Sequence, residues 1–237
     1  MPRRRFAVVS NSAADRAGDR FREEVTAFVL NQSSFDALRT IVSYREMHSY
    51  PLTRVTLGVA SMVKTANRDD KFRPGQRFKR LDRILAKLLR YPHMRLSQME
   101  DIGGCRVVLP SLDHVVAVRD RIISNWGDRA HETDYIAEPK ADGYRGIHII
   151  EKRDGRLIEV QLRTQGQHGW ATAIEEFSPI VGYDLKDGAG PDDLKEYFKV
   201  AADRIARADA GDPLDGVLEE QMNMLREQVR PYFTRET

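Results

Sequence analysis

The segment RLIEVQLRT (156–164) lines up a carboxylate, an amide and a guanidinium. Read as a strand, it puts Ile158, Val160 and Leu162 on one face and Glu159, Gln161 and Arg163 on the other. The apolar face belongs in a core. The polar face suits either solvent or the floor of a polar cleft. Asp101 lies just before another apolar run, GCRVVLP (104–110), from which Arg106 projects. An Asp and a Glu from neighbouring strands are a common way to hold Mg²⁺, a hard cation that favours carboxylate, water and phosphate oxygens. Close by, RFKRLDRILAKLLR (77–90) reads as a basic amphipathic helix, with Leu81, Ile84, Leu85 and Leu88 inward. Its cations suit the phosphates of a nucleotide. The set fits phosphoryl-type transfer, in which a protein mainly positions groups and neutralises charge. Taken alone, the Asp–Glu pair reads as surface ion pairing.

The loop DYIAEPKADGYRGIH (134–148) holds further candidates. Pro139 stiffens it and Asp142–Gly143 turns it, which sets Tyr144 at an exposed bend where a ring can stack on a base. Lys140 and Arg145 add positive charge, and His148 lies on the strand that follows. A core role for Tyr144 and His148 stands as an equal alternative.

These groups need elements to carry them. Residues 1–18 read as disordered, and 19–70 as a helical segment: two helices broken near Asn31–Ser34, then one over 53–67. RDDKFRPGQ reads as a loop. From 104 the period changes. Strands are expected near 104–110, 130–136, 145–151 and 156–164, with a helix over 112–126 closed by Gly127. Thr164 caps a helix running to about Phe177. Helices over 191–208 and 213–230 complete a C-terminal segment, 181–237. The fold class is α+β, a mixed sheet flanked by helices, with its core in 71–180.

Composition narrows the class of partner. Nine basic residues between Lys71 and Arg95 face one acid, Asp82, whereas from Glu175 onward fifteen acids stand against eight bases. A concentrated positive segment suits a polyanion such as nucleotide phosphate or nucleic acid; a solvated helix face is the plainer reading. The single cysteine, Cys105, excludes an internal disulfide. No apolar run approaches membrane-spanning length. The expected setting is the cytoplasm.

Four motifs in order, DIGGCRVV, DYIAEPKADGYRGIHII, IEVQLRT and QHGWA, resemble the synthetase domain of the RelA/SpoT family. The basic stretch RFKRLDRILAKLLR extends the resemblance upstream, and YREMHSYPL matches it more weakly. The resemblance implies a nucleotidyltransferase-related fold and transfer of the β,γ-pyrophosphate of ATP to a ribose 3′-hydroxyl. It implies that Arg77, Lys79, Lys87 and Arg90 grip phosphates and that Arg106 lies against adenine. Asp101 would bind Mg²⁺. Glu159 would help hold the metal and orient or deprotonate the acceptor hydroxyl. Tyr144 would stack on the acceptor base, while Lys140, Arg145, His148, Gln161 and Arg163 contact phosphate or ribose.

The chain departs from the family pattern at two places. Gly146 stands where many alarmone makers have serine, and no Glu-His pair follows Trp170. Both lie in the region that shapes the acceptor pocket, so guanine specificity is open. No hydrolase segment is read ahead of the synthetase part, which fits a toxin restrained by an antitoxin protein. The leading expectation is therefore a growth-inhibiting pyrophosphotransferase acting on the 3′-terminal adenosine of tRNA. The alternatives are synthesis of guanosine or adenosine alarmones from GDP, GTP or adenosine nucleotides, and a nucleotide- or RNA-binding regulator without turnover. The C-terminal apolar stripes are expected to pack on the domain, with a subunit or antitoxin interface as the lesser alternative.

Overall fold

The computed structural model describes residues 8–29, 31–67 and 72–234. Three helices come first: α1 (Asn11–Thr26), α2 (Gln32–Glu46) and α3 (Ser49–Asn67). Strand β1 (Gly75–Phe78) leads into α4 (Leu81–Arg90), β2 (Gly103–Leu109) and α5 (Leu112–Trp126). Then follow β3 (Ala130–Asp134), β4 (Ile147–Arg153), β5 (Arg156–Thr164), α6 (Gln165–Val181), α7 (Asp192–Ala210) and α8 (Gly216–Phe233).

The strands form one sheet in the order β1-β2-β5-β4-β3. β2 and β5 run parallel; the other neighbours are antiparallel, so the sheet is mixed, as its sequence predicts. Alternation gives it two unlike faces. Cys105, Val107, Leu109, Ile147, Ile149, Ile158, Val160 and Leu162 point to one side and pack with residues of α3 and α5 such as Val55, Val59, Val118 and Ile122. Burial holds the Cys105 thiol in its protonated form, its pKa pushed up to about 12, so it is core and not a nucleophile. The β4–β5 turn is Asp154–Gly155, both left-handed (φ 51° and 76°), as the Asp-Gly pair predicts.

Smaller cores lie among the helices, two of them next to the site. α1, α2 and α4 share one, built around Ile41, Tyr44, Ile84 and Leu88. α6, α7 and α8 share the other, which includes Trp170, Leu194, Phe198 and Val229. Among the described residues no helix is long and apolar enough to cross a membrane.

Three expectations need correction. Residues 11–18 are helical, the start of α1, although residues 1–7 lie outside the described residues. Ser10 caps that helix, accepting from the Ala13 amide. Its buried face is made of Ala14, Ala17 and Gly18, small residues that let the backbone approach Leu88 and Leu96. Such a face carries little of the apolar signal that a sequence reading counts. Second, the basic stretch is not one helix. Arg77 lies in β1, paired opposite Gly104, and Lys79 N bonds the Ile102 carbonyl before α4 begins at Leu81. Third, α3 starts at Ser49, not Thr53. Pro51 falls in its first turn, where a missing N–H costs nothing. Of the expected loop 68–76, residues 68–71 lie outside the described residues and 75–76 belong to β1.

Two stability predictions follow from this fold. Phe28, at the α1–α2 turn, is 95% exposed with φ 55°, a conformation glycine adopts without strain. Phe28→Gly is expected to raise stability by about 1 kcal/mol, read as a higher Tm. His48 is 1% exposed, with Nδ1 3.0 Å from the Tyr44 carbonyl. Burial lowers its pKa to about 4. The unfolded chain then binds a proton that the folded chain refuses, so stability falls as pH drops from about 6.5 toward 4, by about 3 kcal/mol in all. Denaturant titrations of wild type and His48→Phe should diverge across that window; parallel pH profiles would refute the assignment.

Candidate active site

The second face of the sheet carries two rows of side chains. Arg77 of β1, Gly104 of β2, Glu159 of β5 and Ile150 of β4 stand opposite one another. One step along the strands, Arg106, Gln161 and His148 do the same. The polar stripe of β5 thus meets matching polar positions on its neighbours. A Cβ at Gly104 would stand 2.9 Å from the Glu159 backbone oxygen, so this glycine is required for β2 to lie so close to β5, and it leaves the floor beside Glu159 uncovered.

Glu159 is the centre of a hydrogen-bond chain. Its Oε1 lies 2.9 Å from His148 Nδ1, and its Oε2 accepts from Gln161 Nε2 at 2.7 Å. Gln161 Oε1 in turn accepts from Arg106 Nε at 3.2 Å. On the far side, His148 Nε2 meets the Tyr144 hydroxyl, which accepts from Arg163 Nη2 at 2.6 Å and Nε at 3.2 Å. With Arg163 donating into the phenol oxygen, Tyr144 gives its proton to Nε2, and the Nδ1–H of His148 points at Glu159. Burial works to raise the Glu159 pKa; the hydrogen bonds from His148 and Gln161 outweigh it, and the carboxyl sits below its ordinary range. Glu159 is an ionised, oriented carboxylate on an open floor, suited to accept a proton.

Asp101, in the turn before β2, is gripped by two lysines. Lys79 Nζ lies 2.6 Å from Oδ2 and Lys87 Nζ 3.1 Å from Oδ1. Burial opposes its ionisation, and these two cations reverse the balance and lower its pKa. Asp101 and Glu159 are close enough for the charge of Asp101 to act on Glu159. Two carboxylates within electrostatic reach of each other are hard donors of the kind Mg²⁺ takes, and an ion there would exchange for the lysine contacts on Asp101 and a contact on Glu159. No group of three or more His, Cys, Asp or Glu gathers in a metal-holding cluster among the described residues. The remaining ligands would be water and substrate phosphate, as Mg²⁺ prefers.

Of the expected site residues, Asp101, Glu159, Lys79, Lys87, Arg77, Arg106, Gln161, His148 and Arg163 share this floor and its rim. Others differ. Tyr144 does not stand on an exposed bend: it is 8% exposed, packed against Trp170 and Tyr135, with Lys140 Nζ 5.1 Å and Arg163 Cζ 4.8 Å from its ring centroid. The bend is covered because α7 lies under it, Gly143 sitting against Ala202 and Lys199. Arg145 turns away from the cleft to pair with Asp203 of α7 at 2.8 Å. Arg90 ends α4, its guanidinium over the Tyr91 ring. Gly146 has a steric reason of its own. Its φ is 156°, and a Cβ there would press on Arg163 Cγ at 3.2 Å and the Tyr144 hydroxyl at 3.3 Å. The glycine therefore follows from the Tyr144–Arg163 contact and carries no message about the acceptor.

Sequence reasoning passed over three residues at the rim. His168 and Glu175 lie seven apart on α6, hence on one face. His168 Nδ1 is 3.5 Å from Arg106 Nη1, and Glu175 pairs with Arg77 at 3.7 Å and Lys186 at 3.4 Å. The heptad spacing was the signal available. Tyr135 is half-buried beside His148, with Lys140 Nζ 4.5 Å from its centroid; only the sheet brings it there.

The site is thus a mixed sheet flanked by helices, with Glu159 on its polar face and Asp101, held by two lysines, in the turn before β2. Residues 76–177 match the family model described as the region found in RelA/SpoT proteins, and together with the pyrophosphokinase likeness below this marks the chain as a pyrophosphotransferase. Among similar proteins, the GTP pyrophosphokinase YjbM of Bacillus subtilis is 26% identical over 81% of this chain and 80% of its own. An uncharacterized protein of Mycobacterium bovis, Mb1401, is 31% identical over 55% of this chain and 51% of its own. The solved small alarmone synthetase 1 of Bacillus subtilis, bound to its product pppGpp, superimposes with a TM-score of 0.56 at 22% identity, covering 77% of this chain and 94% of that one. At that identity the likeness speaks for the fold.

Proposed function

We propose that this chain moves the β,γ-pyrophosphate of ATP onto the 3′-hydroxyl of a ribonucleoside, and that its acceptor is the 3′-terminal adenosine of an RNA, tRNA being the abundant case. The observation that carries the reaction is the ionised Glu159 held by His148 and Gln161 next to the lysine-bound Asp101. In this reading Glu159 takes the proton of the 3′-hydroxyl. The freed oxygen bonds to the β-phosphorus, the bond from that phosphorus to the α–β bridging oxygen breaks, and AMP leaves. Lys79, Lys87, Arg77 and Arg106 balance the triphosphate's charge through the transfer. Asp101 and Glu159 would hold Mg²⁺, which supplies further charge neutralisation when bound.

The RNA acceptor is supported by cations beyond those a mononucleotide needs. Arg80 and Arg83 side chains are 77% and 65% exposed, in surface ion pairs with Asp82 and Asp184; lying outside the contacts around Asp101 and Glu159, they suit a phosphodiester backbone that exchanges for those acids. A pyrophosphorylated 3′-hydroxyl cannot accept an amino acid there, so such an activity would arrest translation and growth. A second reading, synthesis of a guanosine alarmone from GDP or GTP, is favoured by what the Bacillus subtilis relative is named for. ATP labelled in its β- and γ-phosphates, offered with tRNA, GDP and GTP in parallel, separates the two. Label in RNA is the expected result; label confined to the guanosine nucleotides would overturn the RNA acceptor and leave the transfer chemistry standing.

A further inference from the structure

Behind the acceptor loop lies a cavity of about 440 Å³, a volume within the range of small-molecule sites. It lies away from Asp101 and Glu159, and nothing in the transfer reaction uses it. Ile174 of α6, Leu185 of the turn between α6 and α7, and Phe198 of α7 make its apolar floor. Asp142, Asp192, Glu196, Lys195 and Lys199 make its rim.

Resting on the RNA-acceptor reading, we infer that this cavity seats a second nucleoside, the one joined through a phosphodiester to the 5′ side of the acceptor adenosine. Three features of the site argue for that occupant. The first is position. Ala141 and Asp142 line the cavity, while the preceding residue, Lys140, projects over Tyr135 and Tyr144 on the cleft side. Leu185 lines the cavity, and the next residue, Lys186, pairs with Glu175 at the cleft rim. The two lysines are near enough for the charge of Lys186 to act on Lys140. They stand at the shared wall, where a bridging phosphate would pass between cleft and cavity.

The second feature is charge. Three acids and two lysines give the rim a net charge of −1, and Lys195 is already paired with Asp192 at 2.6 Å. A free di- or triphosphate is repelled by such a rim. A neutral heterocycle is not, and the carboxylates of Asp142 and Glu196 can accept from an exocyclic amine such as that of cytosine or adenine. The third is mechanical. Asp142 Oδ1 accepts from the Tyr144 amide at 2.9 Å, so the cavity wall and the buried tyrosine that orients His148 are one rigid turn. A base in the cavity would hold that turn, and with it the 3′-hydroxyl opposite Glu159.

The test compares acceptors of increasing length at saturating ATP: adenosine 5′-monophosphate, the dinucleotide CpA and the trinucleotide CpCpA, with tRNA and GDP in parallel. CpA and CpCpA are expected to exceed the monophosphate by about tenfold in kcat/KM, the scale of one well-stacked base. Glu196→Trp fills the cavity from an exposed position on α7 and should abolish that advantage while leaving the monophosphate rate unchanged, which also reports that the variant is folded. Equal kcat/KM for CpA and the monophosphate, with label still entering tRNA, would overturn the cavity's role and keep the RNA acceptor. The same holds if CpA keeps its full advantage in Glu196→Trp. Label entering GDP alone overturns both.

Discussion

Glu159→Gln is expected to lower kcat roughly a thousandfold, the usual worth of a general base, with ATP affinity little changed and Tm modestly lowered by the donor left facing an N–H. The substitution keeps shape and removes charge. His148 Nδ1 and Gln161 Nε2 both donate toward Glu159. An amide can accept from only one of them through its oxygen, so the other is left facing an N–H. The acceptor hydroxyl then loses the anionic group that β5 places on the polar face of the sheet opposite Gly104. The pH profile is a second check. Because the His148 contact keeps Glu159 below the ordinary carboxylate range against the pull of burial, the wild-type base is charged throughout neutral and mildly acidic pH, and kcat should fall only in stronger acid. Initial rates of label transfer, measured for both proteins, decide the matter. A loss smaller than tenfold in Glu159→Gln would remove Glu159 from the chemistry.

Asp101→Asn should weaken both activity and fold. Its carboxylate is the counter-charge of Lys79 and Lys87, whose side chains are only 16% and 28% exposed. Removing one partner of a partly buried pair leaves cations without compensation. With solvent reaching about a quarter of the Asp101 side chain, the full cost of breaking a buried pair is discounted to about 1–2 kcal/mol. The sign with pH is fixed by the lowered pKa of Asp101. The contribution is present above the unfolded carboxyl pKa and is lost as pH falls through the folded one, so the two proteins should converge in acid. Activity is expected to drop about a hundredfold or more, with a higher Mg²⁺ requirement as the mark of a metal ligand. If the Mg²⁺ dependence is unchanged while activity falls, Asp101 serves only to position the lysines.

The chemistry of β5 was legible because a strand's side chains alternate. Given Ile158, Val160 and Leu162 inside, Glu159, Gln161 and Arg163 had to face together. The same logic found β2 and the Asp-Gly hairpin, and the capped boundaries of α5 and α6. What misled was local chain context. Tyr144 follows Asp142–Gly143, a turn that reads as exposed, and Lys199 and Ala202 of α7, more than fifty residues later, cover it. Arg145 sits among cations in sequence and is claimed by Asp203. The start of α1 lacks large apolar residues, since close packing there needs small ones.

By itself the sequence determined most of the elements and the mixed α+β character, because these rest on periodicity and residue type within a few turns of chain; it missed β1 and the start of α1, and it singled out Asp101 and Glu159 only through the family resemblance. Only the tertiary structure decided which cations hold Asp101, which groups orient Glu159, that Gly146 answers to the Tyr144–Arg163 contact, and that a cavity lies behind the acceptor loop. Each of these is a contact between segments distant along the chain. Such contacts depend on strand order and on which helix covers which face, and no local pattern of residues encodes them.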